Sequence, residues 1–374
     1  MMRRLRTLVI GSLLWPGFSA PAMDVPLAWQ DSGFSLSVYY DSRGQEIVFK
    51  KEPAYSGARV LRGALPVGKT RADSLPYAVD WDQRTLFLDR NRNLDLTDDL
   101  PLLAEETNDY RLTFGRIALG PEDSSVSRYL VSLTFSRFSA NPTMEVQSGW
   151  SGTFVRGTQT WEVVFVDDLD GEWGGRDLLA LAPASAPFRK DRGAKSLPPM
   201  QRLFFDGRQH EVSLTPGPEG TWVFSLQEVA APMGQLILDG ALIQRLVLLG
   251  GEDGKGRVVV LEQPGVAPLS VPAETYSVQR ITLASTLGRF EAVRRQDLVV
   301  REGQSVSLAI GGPLMNAATV RRRGGSLAMN YTLKGRGGEE YEAPTAPPDS
   351  GNNLPRVAIF HGQRKIASGR FEYG

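Results

Sequence analysis

Short apolar runs separated by turn residues recur along the whole chain, and many of them alternate. Residues 34–39, Phe-Ser-Leu-Ser-Val-Tyr, place an apolar side chain at every second position, as a strand with one buried face requires. Asp41-Ser42-Arg43-Gly44 then reads as a turn and residues 45–49 as a returning strand, which predicts a hairpin. Runs at 59–65, 77–82, 85–88, 110–119, 129–135, 153–155 and 160–166 continue the series. Residues 183–199, rich in Pro, Ala and basic side chains, read as an exposed connection. Residues 202–205 and 211–214 flank Asp206-Gly207 and predict a second hairpin, and 221–226 follows a Pro-Gly turn.

From about Val229 the runs become more aliphatic, at 235–238, 245–249, 257–261, 276–283, 305–310, 326–333, 356–360 and 365–371. Residues 343–353, with three prolines, read as a loop within this part. No segment keeps a helical period between caps; 241–249 suits a short helix and a strand equally. The pattern predicts an all-β, multi-domain chain. Residues 23–228 form an N-terminal β domain in this reading, and 229–374 a β-sandwich-like region. The 39 Gly and 24 Pro fall between the runs, which supports turns over long helices.

The first residues change the picture of compartment. Arg3, Arg4 and Arg6 precede an apolar stretch at 8–15, Pro16 breaks it, and Ala20-Pro21-Ala22 supplies small residues. This order predicts a signal peptide over 1–22 and export to the periplasm or beyond the cell. The stretch is too short to span a bilayer, and no later run is long enough. Net charge is +0, which gives no electrostatic case for nucleic acid. With no Cys, disulfides, thiolate zinc sites and cysteine catalysis are excluded. An exported chain without disulfides needs another means of pinning its loops, and a bound cation supplies one.

Two acidic loops offer such a site, each after a strand-like run. In the first, oxygen side chains recur at Asp89, Asn91, Asn93, Asp95 and Thr97. A loop curling around an ion turns every second side chain inward, and Ca²⁺ takes about six to eight oxygens. Two positions depart from an EF-hand loop: Leu94 stands where Gly makes the sharp turn, and Leu100 where a bidentate Glu closes the shell. Asp98, Asp99 or a distant carboxylate must close it instead. The plain alternative is a polar turn, since Asp and Asn favour turns. In the second loop, Asp167, Asp170 and Asp177 are candidate ligands, with Asp168 or Glu172 assisting. Its alternatives are an acidic hairpin loop, or a glycosidase-like carboxylate pair beside Trp173. His210 and His361, the two histidines, read as surface turn residues, outside any hydrolase or metalloprotease motif. Arg321-Arg322-Arg323 with Lys334 and Arg336 suits an anionic polysaccharide or lipid headgroup, or the solvated face of an edge strand.

The run from Asp89 to Asp99 resembles a motif of uncharacterised exported bacterial proteins, in which a strand enters Asp-x-Asn-x-Asn-Gly-Asp-Leu-Thr-Asp-Asp. Those proteins often carry a second acidic loop with Asp-Gly, as at Asp170-Gly171 here. Their C-terminal parts look like immunoglobulin-like or transthyretin-like sandwiches, and Leu-Ser-Val-Pro-Ala-Glu-Thr-Tyr at 269–276 is similar to a strand entry of such modules. The resemblance implies a fold and a cation site but no activity. The expectation is an exported, non-catalytic binding or structural protein with a calcium-stabilised loop. Its expected partner is a cell-surface polysaccharide or another envelope protein. The rival is a secreted glycan hydrolase using carboxylates of the second loop.

Overall fold

The computed structural model describes residues 22–39, 47–119, 129–139, 142–170, 177–184, 196–197, 200–251, 256–265, 267–285, 288–324, 326–342 and 356–370. Strand accounts for 64% of them, as the alternating pattern predicts for an all-β, multi-domain chain. The leader but for its last residue, the turn at 41–44 and the loop at 343–353 lie outside the described residues.

In chain order the strands are β1 (Met23–Gln30), β2 (Leu36–Tyr39), β3 (Val60–Leu65), β4 (Leu75–Asp80), β5 (Thr85–Leu88), β6 (Leu102–Leu103), β7 (Glu106–Asn108) and β8 (Arg111–Ala118). Next come β9 (Leu130–Ser136), β10 (Thr143–Val146), β11 (Gly149–Arg156), β12 (Gln159–Val166), β13 (Leu178–Pro183), β14 (Ser196–Leu197), β15 (Arg202–Phe205), β16 (Arg208–Pro216) and β17 (Trp222–Glu228). The remainder are β18 (Met233–Asp239), β19 (Ile243–Gly250), β20 (Arg257–Glu262), β21 (Leu269–Pro272), β22 (Glu274–Ser285), β23 (Gly288–Val300), β24 (Ser305–Ala309), β25 (Met315–Arg323), β26 (Ser326–Lys334), β27 (Glu340–Tyr341), β28 (Arg356–His361) and β29 (Arg364–Arg370). The ambiguous stretch at 241–249 is therefore mostly strand. Of the first predicted hairpin's returning strand, the described residues 47–49 are not strand, and β2 pairs with β10, Tyr39 opposite Thr143.

Three cores organise these strands. The first lies among the sheet β3-β4-β5-β6, the sheet β2-β10-β9-β8-β7 and one face of β12 and β13. Tyr77, Leu86, Phe114, Phe135, Val164 and Val166 are among its buried members. The second is lined by β1, by β11 to β17 and by β19 and β20, all of one twelve-stranded sheet that curls around it. The third lies between the far face of β15, β19, β20, β22 and β23 and the small sheet β21-β18-β24.

This layering explains the continuous apolar runs. In β12, Val163 and Phe165 enter the second core while Val164 and Val166 enter the first. In β20, Val258 and Val260 face the second core and Val259 and Leu261 the third. Side chains alternate across a strand, so a strand covered on both faces has no polar position to show. Burying one such side chain contributes roughly 1.5–3 kcal/mol.

The predicted boundary at 228/229 falls between β17 and β18. The long sheet continues across it, because β15 pairs in parallel with β20, Leu203 opposite Val258. β1 stitches the sheet in the other direction. Its residues 23–27 pair with β17 and 28–30 with β11.

Candidate metal centre

The second acidic loop leaves the sheet at the ends of β12 and β13. These strands pair antiparallel with Val166 opposite Leu178, so the next positions outward are Asp167 and Asp177. Like charges placed across a strand pair repel unless something neutralises them. Asp168 adds a third carboxylate. One oxygen from each of Asp167, Asp168 and Asp177 lies within 4.8 Å of the other two. Asp168 is 3% exposed and Asp177 8% exposed.

The backbone holds the cluster in shape. Asp168 N–H donates to Asp177 Oδ1 at 2.9 Å, and Leu169 N–H to Asp167 Oδ1 at 2.7 Å. Asp170 N–H donates to Asp168 Oδ1 at 3.2 Å. Leu169 takes the left-handed conformation, φ 69°, with its side chain buried in the first core. Its carbonyl accepts from Gly68 N–H at 2.6 Å, which ties the loop to the segment after β3. The Tyr129 hydroxyl donates to Asp167 Oδ2 at 2.9 Å, and its ring packs edge-on against Trp29 and Trp150.

Burial pushes the Asp167 carboxyl above the usual carboxylate range, and the nearby Asp170 charge adds to this. Burial, followed by the Asp167 charge, raises the Tyr129 hydroxyl in turn. Crowded, desolvated carboxylates either take up protons or bind a cation. Three converging carboxylate groups suit a hard oxygen-seeking ion such as Ca²⁺, Mg²⁺ or Mn²⁺.

Of the residues predicted for this loop, Asp167 and Asp177 come together. Asp170 is exposed and outside the cluster, while Asp168, expected only to assist, sits within it. Glu172 and Trp173 lie outside the described residues. Spacing along the chain gave Asp168 only an assisting place and missed Tyr129, because strand register and the segment entering β9 choose the neighbours. The run Val163 to Val166, which phases the strand end, carried the only usable signal.

The first loop has a different interior. Asp89 is fully buried, and its oxygens accept from Asn93 N–H at 3.1 Å and Leu94 N–H at 2.9 Å. Asn91 Oδ1 accepts from Asn93 N–H, Asn93 Oδ1 from Asp95 N–H, and Asp95 Oδ1 from both the N–H and the hydroxyl of Thr97. The side-chain amides of Asn91 and Asn93 both donate to Asp98 Oδ2. The alternating oxygens thus cap the loop's own amides, as Asx turns do. Leu94 adopts φ 66° without being Gly, and Arg92 adopts φ 60°. Lys50 N–H donates to the Leu94 carbonyl, and Leu96 N–H to that of Lys51, so the segment before β3 clasps the loop. Asp99 Oδ1 accepts from Arg90 N–H; its Oδ2 is buried without a hydrogen-bond partner among the described residues, and burial raises this carboxyl.

The histidines divide. His361 is exposed at the β28–β29 turn, as expected. His210 is not a surface turn residue: it lies in β16, 1% exposed, with its ring 4.9 Å from that of Phe205. A strand face turned toward the second core overrides the residue's usual preference for the surface. Among the described residues no helix is long and apolar enough to cross a membrane. Comparison with protein-family models, with curated proteins and with solved structures finds no match.

Proposed function

We propose that this chain is an exported, non-catalytic binding or structural protein whose β12–β13 end is pinned by a hard divalent cation. Calcium is the ion expected outside the cell. The observation that carries this reading is the convergence of Asp167, Asp168 and Asp177, within 4.8 Å and largely buried. A cation there would offset like-charge repulsion at a point where two cores and the segment after β3 meet. It would stabilise the folded state alone, the role disulfides take in other exported chains. The basic, apolar, small-residue order of residues 1–22 supports export. The third core, enclosed by two sheets, supports reading the C-terminal part as sandwich-like. Asp168 and Asp177 are buried, whereas the acid and nucleophile of a glycosidase must both reach a bound sugar. That geometry weighs toward a structural ion over hydrolysis.

Thermal unfolding in EDTA and in millimolar Ca²⁺ tests the site. The intact protein is expected to melt several degrees higher with Ca²⁺. Asp168→Asn with Asp177→Asn is expected to abolish the difference, and Asp89→Ala with Asp95→Ala to retain most of it. A calcium response lost only in the Asp89, Asp95 variant moves the ion to the first loop. No response in the intact protein refutes the cation reading. Fractionation of cells expressing the full chain tests export.

A further inference from the structure

We propose that a cleft at the rim of the first core binds one unit of an acidic saccharide, gripping its carboxylate with arginine and its ring with aromatic faces. The proposal rests on the reading of the chain as a binding protein and gives its ligand a chemistry. The cleft has a volume of about 270 Å³ and opens where the start of β3, the end of β4 and the end of β9 meet. Arg59, Leu61, Trp81, Arg137 and Phe138 are among its walls. That volume lies just below the usual range of ligand pockets and suits a single ring with its substituents.

Each wall has a chemical role. Trp81 and Leu61 are half-buried, with their inner sides packed on the first core, so they form a rigid apolar floor. Trp81 N–H donates to the Arg59 carbonyl at 3.0 Å, which fixes the floor beside one arginine. On the other side, Arg137 N–H donates to the Tyr110 carbonyl at 2.9 Å. Phe138 is 80% exposed and Tyr110 56% exposed, yet their rings stack with centroids 5.4 Å apart and planes 23° apart. The stacked pair adds an aromatic face beside the cleft.

Arg59 and Arg137 are both exposed, and neither forms an ion pair among the described residues. A guanidinium presents a planar fork that matches a carboxylate in two parallel hydrogen bonds. Two such forks beside aromatic faces call for a ligand with an anionic group on an apolar-faced ring. A uronic acid within a polymer has both.

Calorimetric titration with tetragalacturonate in metal-free buffer, below the melting temperature, tests this. Maltotetraose supplies the neutral sugar control and benzoate the aromatic acid without a sugar ring. Tetragalacturonate is expected to bind and maltotetraose not. Arg137→Gln and Phe138→Ala, each checked for an unchanged melting temperature, are expected to weaken binding at least tenfold. Arg356→Gln with Arg364→Gln, which removes cations from the separate β28–β29 hairpin, is expected to leave it within twofold. No binding by the intact protein, or equal binding in both cleft variants, overturns the proposal. Binding of benzoate without tetragalacturonate overturns the saccharide assignment. The same titration on the Asp168→Asn, Asp177→Asn variant separates the two readings: retained binding leaves the cleft standing even where the cation site fails.

Discussion

His210 gives a pH signature at the scale of a single residue. Burial, with the Arg156 charge adding to it, depresses its pKa from 6.5 to about 4. The unfolded chain therefore binds a proton between those values that the folded chain refuses. Stability is fully present above pH 6.5 and falls as pH drops toward 4, by up to about 3 kcal/mol. Urea denaturation between pH 7 and 4 should show this decline, and His210→Leu should flatten it. Backbone strain at Arg92 gives a second expectation. Its side chain is exposed and its φ is 60°, a conformation that costs a non-Gly residue about 1 kcal/mol. Arg92→Gly is expected to raise stability by about that amount in chemical denaturation, against the usual penalty for introducing Gly. The first loop's place in the chain was readable from its alternating Asp and Asn. That Leu94 would take the left-handed conformation in place of Gly was not readable, because the amide hydrogen bonds to the buried Asp89 enforce it.

At the scale of strands, the apolar runs located most elements, and β12 and β20 show why their alternation vanished where both faces are covered. Pairing was far less readable. A strand's own pattern states how many faces are buried but not which strand lies beside it, and β15 with β20 and β18 with β24 form parallel pairs over long separations. Close strand packing predicts intolerance at β11: a Cβ on Gly152 would stand 2.5 Å from the Pro26 carbonyl of β1. Gly152→Ala is expected to cost about 2 kcal/mol or more in urea denaturation, by forcing apart the strand that joins the two halves of the long sheet. Arg245 of β19 offers another test. It is buried, paired with Glu262, and donates to the Leu181 carbonyl of β13 at 3.1 Å, spanning the second core. Glu262→Gln leaves that guanidinium without its counter-charge and is expected to cost about 2 kcal/mol, less than a fully buried pair because Glu262 is partly exposed.

For the whole molecule, the long sheet is the unit that matters, since strands from both sides of residue 228 contribute to it and to the second core. Unfolding monitored by tryptophan fluorescence, which reports mainly on the second core, and by far-UV circular dichroism should therefore coincide. The β28–β29 hairpin stands apart. Among the described residues its strands pair only with each other, and Phe360 and Ile366 are exposed. An isolated hairpin adds little to a fold. Ending the chain after Glu342 is expected to move the melting temperature by no more than about 2 °C.

The amino-acid pattern alone established the all-β class, the positions of many turns, the two acidic loops and the absence of disulfide or thiolate chemistry. Those properties are local: a strand's period, a turn's Gly or Asp, and a missing Cys are each written within a few residues. Tertiary structure decided what pairs with what. It set Asp167 opposite Asp177, brought Asp168 rather than Asp170 to them, and buried His210. It also carried one sheet past residue 228 and built the cleft at Trp81 from strands far apart in the chain. These depend on register and on which faces meet, and such contacts are fixed by the summed burial of three cores rather than by any one segment.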